Sequence, residues 1–406
     1  MSHTSAGRRG EYHVLIAGGG VAGLEAALAL RELAGDRVDV ELLAPEHHFF
    51  YRPLAVAEPF GVGYVHRWEL DDLARAAGAE FTPGALERID AQAHVAHTAQ
   101  GLRIEYDAVV LACGARPRIA VPGALTFRGP ADVDALRELM AAVARREADR
   151  IVFVVPSGTV WPLPLYEIAL LAAAQLQSSR PDASLEVVTS EPSPLALFGP
   201  QASEAVGALL DDHDIAVHTS TYAVELTGDG LTTVRGGTIA ADRVVALPHL
   251  VGAGIAGVPS VGDGFVPTDP HGRVRGCADV YAAGDLTTFP IKQGGLAAQQ
   301  ADAVAEAIAA AVGAGNDPQP FEPVLRALLL TGAAPAFLRV ELGGGHGESS
   351  TASSEPLWWP PGKLAGRHLA PFLAELGVLA LPDEPLEDAL RVELEATAVH
   401  ELGWPR

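Results

Sequence analysis

The segment VLIAGGGVAGLEAALAL, residues 14–30, constrains the fold of this chain more than any other. Gly18-x-Gly20-x-x-Gly23 follows an apolar run with strand character and opens an apolar-periodic run with helical character. At such a joint each glycine has a steric task. Gly18 permits a sharp turn, Gly20 lets the backbone approach a pyrophosphate, and Gly23 lets helix and strand pack closely. The free N–H groups at the helix start, with Val21 and Ala22 in its first turn, would then face the two phosphates, helped by the helix dipole. Dinucleotide binding follows from this strand–turn–helix context, since the glycine spacing alone is weak. A carboxylate about 20 residues on usually holds the adenosine ribose. Ala44 stands there and Glu41 lies inside the expected strand, which leaves Glu46 as the candidate, with backbone groups or water as the alternative.

The same unit recurs. HVLIAG, VDVELLA, YDAVVLA, IVFVV, LEVVTS and RVVAL read as strands separated by helical segments across residues 12–310. Strands alternating with helices predict an α/β fold with parallel sheets covered on both faces. Units starting near residues 13 and 151 predict two Rossmann-like domains. Residues 317–406 read differently, as an α+β region. It holds a strand pair (LRALLLTG and AFLRVEL), a Gly/Ser-rich loop at 343–355, and helices near 363–377 and 385–402.

Bulk properties narrow the function. The 406 residues suffice for two or three domains, and 49% hydrophobic with 19% charged residues marks a globular protein. A net charge of −23 would be repelled by nucleic acid and by an anionic membrane face. The two cysteines, Cys113 and Cys277, exclude a disulfide framework and a local redox pair but leave a long-range bridge open. Both read as small buried packing residues, and the cytoplasm is the default compartment. Arg8-Arg9 precede an apolar run that reads as the first strand of the fold rather than as an export signal. No 18-residue charge-free apolar stretch predicts a transmembrane helix. The fourteen histidines show no metal-binding spacing, and His47-His48 are weak candidates for proton transfer.

Two further motifs identify the cofactor. YDAVVLACGARP (106–117) and VYAAGDLTTFP (280–290) are strands ending in small-residue turns. With the first glycine turn, in this order, they resemble the two-dinucleotide flavoproteins of the pyridine nucleotide-disulfide oxidoreductase superfamily. HFFYRPL (48–54) and FPIKQGGLAAQQA (289–301) make the chain similar to the branch of sulfide:quinone oxidoreductases and type II NADH dehydrogenases. The resemblance implies FAD, with electrons passing through the flavin N5. It implies that Gly18, Gly20 and Gly23 take the pyrophosphate and that Ala112, Cys113 and Gly114 form the turn beside the cofactor. Asp285, with Gly284, would accept a ribityl hydroxyl, and Arg52 and Pro53 would lie near the flavin. It further implies an FAD domain in two parts, 1–120 and 248–318. A degenerate NAD-type domain, 121–247, would lie between them, and a capping region, 319–406, would follow.

Residue chemistry adds candidates of its own. Lys292, Gln293 and Gly294 stand at the start of the helical run LAAQQADAVAEAIAAAV, whose N-terminus would favour a reduced, anionic flavin. Lys292 is one of two lysines among 28 basic residues, so a compact ammonium is singled out there. Glu167 is a candidate proton relay, set against a reading as a helix-start or surface charge.

The second expected glycine turn is altered. IVFVVPSGTVWPLPLYE (151–167) holds Gly158, Pro156, Pro162, Pro164 and Trp161. Prolines lack N–H donors, and Trp161 would fill ligand space, so ordinary NAD(P)H binding is not expected. The sequence therefore points to an FAD-dependent oxidoreductase with an unidentified donor and a quinone or other small acceptor. An NAD(P)H dehydrogenase with an atypical nicotinamide site and a non-catalytic flavin-binding interaction or sensor protein are the alternatives. Trp358-Trp359 beside Lys363 and Arg367 make the tail a candidate for peripheral membrane contact, for closing the flavin site, or for a homodimer interface.

Overall fold

The computed structural model describes residues 12–315, 317–342, 349–353, 355–377 and 392–395. Arg8 and Arg9 lie outside the described residues, as does most of the segment expected to be helical at 385–402.

Two five-stranded parallel sheets organise the chain. The first runs Val280–Ala282, Ala108–Leu111, Tyr12–Ala17, Val38–Ala44 and Glu80–Pro83. The second runs Leu125–Thr126, Arg243–Ala246, Arg150–Val155, Ser184–Thr189 and Ile215–His218. Central strands such as Val14–Ala17 and Ile151–Val155 are buried along their whole length. That is the reason for their unbroken apolar runs, because a parallel sheet is covered on both faces. The chain passes between the sheets twice, and the two passages, Ala115–Arg118 and His249–Gly252, pair antiparallel.

The helix Val21–Ala34 follows the first strand, and the helix Gly294–Ala311 packs in the same core through small residues including Ala26, Ala27, Ala301 and Ala305. In the second lobe, the helix Leu163–Leu176 is buried nearly all round. One of its neighbours is the C-terminal sheet, Val324–Leu329, Ala336–Glu341, Ser349–Ser353 and Val392–Glu395, which is antiparallel. Leu325, Ala327, Leu329, Leu338 and Val340 belong to the same core as that helix.

The tail departs from the sequence reading. Residues 349–353 form a strand inside the expected loop, and 392–395 form a strand inside the expected second helix. Each gains its hydrogen-bond partners from another strand of the sheet, which the periodicity of the segment itself cannot reveal. The remaining tail helix is shorter than expected, Leu369–Glu375. Among the described residues no helix is long and apolar enough to cross a membrane.

Candidate functional site

The first glycine turn is built tightly on one side and left open on the other. Gly18 has φ +128°, and a Cβ there would lie 2.1 Å from the Ala112 carbonyl oxygen. At Gly23 a Cβ would lie 1.8 Å from the Gly18 carbonyl oxygen, which fixes how closely helix and strand approach. Around Gly20 no atom lies within 4 Å of where a Cβ would be. The helix start has no side-chain cap and no acidic residue in its first turn. Backbone N–H groups and the positive end of the dipole therefore face open space suited to an anion.

Ala112, Cys113 and Gly114 follow the neighbouring strand and border the same crevice. Cys113 is accessible from it, contrary to the buried packing role expected from sequence, and its thiol donates to the Ala17 carbonyl at 3.3 Å. Protein crowding round the sulfur, with the Glu46 charge adding to it, pushes the thiol up to about 12, and Arg116 opposes. This group is a thiol rather than a thiolate nucleophile at neutral pH. Glu46, just past the strand Val38–Ala44, is exposed.

Opposite this turn sits the second motif. Gly284 lies so close to the first helix that a Cβ would be 3.1 Å from the Ala22 Cβ. Its N–H donates to Gln300 Oε1 at 2.8 Å, and the Thr287 hydroxyl lies 3.0 Å from the Gly284 carbonyl. The turn is thus held on both sides. Asp285 next to it makes no side-chain hydrogen bond with the described residues. Surrounding protein pushes its carboxyl above the usual range, while Lys292 and Arg52 pull it down. A half-buried carboxylate without a protein partner, in reach of two cations, is suited to receive a ligand hydroxyl.

Lys292 is more constrained than its sequence position suggested. Its Nζ donates to the Thr287 and Phe289 carbonyls at 2.5 and 2.7 Å and lies 4.3 Å from the Phe265 ring centre. Burial lowers its pKa to about 8, opposed by Asp285. Gln293 caps the helix Gly294–Ala311 by accepting from Leu296 N, and its amide donates to the Arg326 carbonyl. Gly294 and Gly295 lie in the first turn of that helix. Arg52 and Pro53 open a short 3₁₀ turn, with Arg52 exposed.

Glu167 is neither a helix-start charge nor a surface charge. It is 1% exposed and forms an ion pair with Lys363, whose Nζ reaches both carboxylate oxygens at 2.5 and 2.6 Å. Leu330 N also donates to it at 2.9 Å. Burial pushes the Glu167 carboxyl up and the Lys363 ammonium down, each countered by the other's charge. The second lysine of the chain thus ties the tail to the middle lobe. Beside it, the Tyr51 hydroxyl accepts from Leu364 N at 3.1 Å.

The corresponding turn of the middle lobe is built differently, with Gly158 at φ +76° and exposed. Trp161 packs against that lobe's core, with its ring centre 6.0 Å from that of Phe198. Pro162 precedes the helix Leu163–Leu176, and the Pro156 carbonyl accepts from both Thr159 N and Thr159 Oγ1. Past the second strand, where an acidic residue would take a ribose, stands Glu191. Its carboxylate turns inward, accepting from the Tyr166 hydroxyl at 2.6 Å and from Thr189 Oγ1 at 2.9 Å.

Sequence reasoning missed Gln300, Tyr51 and Glu25. Gln299-Gln300 inside an alanine-rich helix was the available signal for the first. Glu25, with no exposed surface in the first helix, likewise broke an apolar face. Tyr51 carried no signal.

The model of the family described as pyridine nucleotide-disulphide oxidoreductase matches residues 12–311. Human apoptosis-inducing factor 3 is 26% identical over 307 residues, covering 71% of this chain but only 47% of that protein. The benzene 1,2-dioxygenase system ferredoxin–NAD(+) reductase subunit of Pseudomonas putida is 25% identical over 325 residues, covering 73% of this chain and 74% of that protein. Among solved structures, the sulfide:quinone oxidoreductase of Aquifex aeolicus superposes with a TM-score of 0.73 at 21% identity, covering 81% of this chain and 84% of that one. This last likeness is one of fold. With the family match spanning three quarters of the chain and an open, uncapped glycine turn facing an unpartnered aspartate, the chain belongs to the pyridine nucleotide-disulphide oxidoreductase family and binds FAD.

Proposed function

We propose that this protein is an oxidoreductase that takes electron pairs from a donor other than NAD(P)H and passes them through FAD to a quinone or another small acceptor. The observation that carries this reading is the contrast between the two turns. One keeps its three glycines and an uncapped helix start, while the other carries Pro156, Pro162 and Pro164, with Trp161 packed on the lobe's core and Glu191 turned inward.

In this reading Gly18, Gly20, Val21, Ala22 and Gly23 hold the pyrophosphate and Glu46 the adenosine ribose. Ala112, Cys113 and Gly114 border the cofactor, and Asp285, next to Gly284, takes a ribityl hydroxyl. Arg52, Pro53, Lys292, Gln293 and Gly294 surround the redox ring. Bound FAD supplies a two-electron carrier, the chemistry no side chain here provides. The protein supplies position and field. The N-terminus of the helix Gly294–Ala311 directs positive potential at the ring. Lys292 braces the Asp285 loop, and the Glu167–Lys363 pair holds a proton at Lys363 Nζ where the tail meets the middle lobe. The domain limits 1–120, 121–247, 248–318 and 319–406 divide these tasks between an FAD domain in two parts, a nucleotide-free middle domain and a cap. Trp359, 83% exposed, supports peripheral contact with a membrane or a second copy through the cap.

A second reading, an NAD(P)H dehydrogenase with an atypical nicotinamide site, is favoured by the name of the Pseudomonas relative. Anaerobic reduction followed by flavin absorbance separates the two. Bleaching by at least one of a panel of two-electron donors such as thiols or sulfide, with NADH and NADPH inert and re-oxidation by a quinone, is expected. Rapid bleaching by NADH or NADPH would favour the second reading. Retained flavin that no donor bleaches would point to a non-catalytic flavin-binding protein.

A further inference from the structure

The tail segment 363–369 is tied down at three points, each on a different element. Lys363 pairs with Glu167, Leu364 N donates to Tyr51, and His368 N and Leu369 N donate to the two oxygens of Glu25 at 2.7 and 2.8 Å. Gly366 comes so close to the third anchor that a Cβ would lie 2.7 Å from Glu25 Oε2. The first two anchors are neutral overall or uncharged. The third is different.

Glu25 has no exposed surface and lies in the first helix. Asp302 faces it from the helix Gly294–Ala311, and His368 comes from the tail. One oxygen of each acid and one ring nitrogen of His368 lie within 4.8 Å of one another. Asp302 Oδ1 is buried and makes no hydrogen bond, while His368 Nε2 is 3.6 Å from it and His368 Nδ1 is 3.1 Å from Glu32. The other charged groups facing the cluster are Glu306 and Arg367, themselves 3.4 Å apart. Three acids, Glu25, Asp302 and Glu32, thus lie round one imidazole, with Glu306 and the Arg367 guanidinium at the rim.

Two acids this close in a water-poor site do not both ionise without a proton beside them. Burial, with the Glu25 charge second, pushes the Asp302 carboxyl up to about 8. The docked cluster holds that one proton between its facing side chains. Undocking the tail would remove His368 and let water reach both acids, which lowers the affinity for that proton.

We propose that Glu25, Asp302 and His368 form a proton-binding site that latches the C-terminal strap, which docks with one proton bound and is released when the proton leaves. The sign follows from linkage. The proton is held more tightly docked than undocked, so docking is strongest at low pH and weakens as pH rises through the docked value. Release would also carry Lys363 away from Glu167 and Leu364 away from Tyr51. This inference does not depend on which donor or acceptor the protein uses.

Trypsin reads it directly. Lys363 is buried while the strap is docked, whereas Arg235 is exposed throughout. The ratio of cleavage after Lys363 to cleavage after Arg235 cancels the protease's own pH dependence. In the wild type this ratio should climb by up to about tenfold per pH unit as pH rises from roughly 6 toward the docked value of about 8, and level off above it. Asp302→Asn keeps the side-chain shape without the second charge, and its ratio should stay flat and low. An equal rise in both proteins overturns the proposal and assigns the titration to the Glu167–Lys363 anchor instead. A flat wild-type ratio overturns it as well. If Asp302→Asn fails to fold, Glu25→Gln carries the same expectation, because it removes the other charge and keeps an oxygen toward His368 N.

Discussion

Replacing Lys363 by methionine tests whether the tail is held by a buried ion pair. The substitution keeps the length of the side chain and removes the ammonium from both oxygens of Glu167, leaving that carboxylate the N–H of Leu330. Both partners are almost wholly buried, at 1% and 6% side-chain exposure. Breaking such a pair from one side costs about 3–5 kcal/mol, because the surviving charge is stranded. Protonation sets a ceiling on the loss. Neutralising a carboxyl whose ordinary pKa is about 4.3 costs about 3.7 kcal/mol at pH 7, and about 1.4 kcal/mol less for each unit of acidification. The expected loss is thus just under 4 kcal/mol at pH 7, fading toward pH 4. For a chain of this length unfolding as one unit, that corresponds to a fall in Tm of about 4–5 °C. Thermal unfolding followed by circular dichroism at several pH values provides the assay. The pair Glu167→Gln with Lys363→Met should recover most of the loss, since no charge remains to be stranded. A single variant that loses less than about 0.5 kcal/mol at neutral pH would refute the reasoning, because losses that small are typical of exposed pairs.

Two further outcomes follow from the two turns. Gly20→Ala meets no protein atom and needs no unusual backbone angle, so its apo stability should change by less than about 0.5 kcal/mol. The added methyl would occupy space left for the pyrophosphate, so FAD affinity measured by flavin fluorescence should fall at least about tenfold, or about 1.4 kcal/mol. Unchanged FAD affinity would place the phosphates elsewhere. Tyr166→Phe removes the hydroxyl donated to Glu191 and should cost about 1.5–3 kcal/mol at neutral pH, read by urea unfolding. Burial already raises the Glu191 carboxyl, and losing a donor raises it further. Both proteins hold this proton more tightly folded than unfolded. The difference between them should therefore shrink below the ordinary carboxyl range and grow as pH rises through the wild-type folded value. A difference that does not change with pH would refute the inward placement of Glu191.

Much of the frame was legible in the sequence because its causes are local. A turn at Gly18 must be glycine when a Cβ would strike a neighbouring strand, and the flanking strand and helix announce themselves through apolar runs of the right length. The three prolines and Trp161 of the middle turn carried their meaning for the same reason, since a missing donor and a bulky ring act where they stand. Lys292 was singled out by rarity alone. The structure gives it carbonyl partners three and five residues away, within its own sequence neighbourhood.

What the chain's own order could not disclose is which buried charges meet. Glu167 and Lys363 are 196 residues apart, and Glu25 finds the backbone of His368 across 343. A carboxylate in a helix looks the same on paper whether it faces water or a distant lysine. Only packing decides, because the cost of dehydrating a charge is met by whichever partner the fold delivers. Local sterics wrote the glycine turns into the sequence, whereas the anchors of the strap exist only once two lobes and a tail have come together.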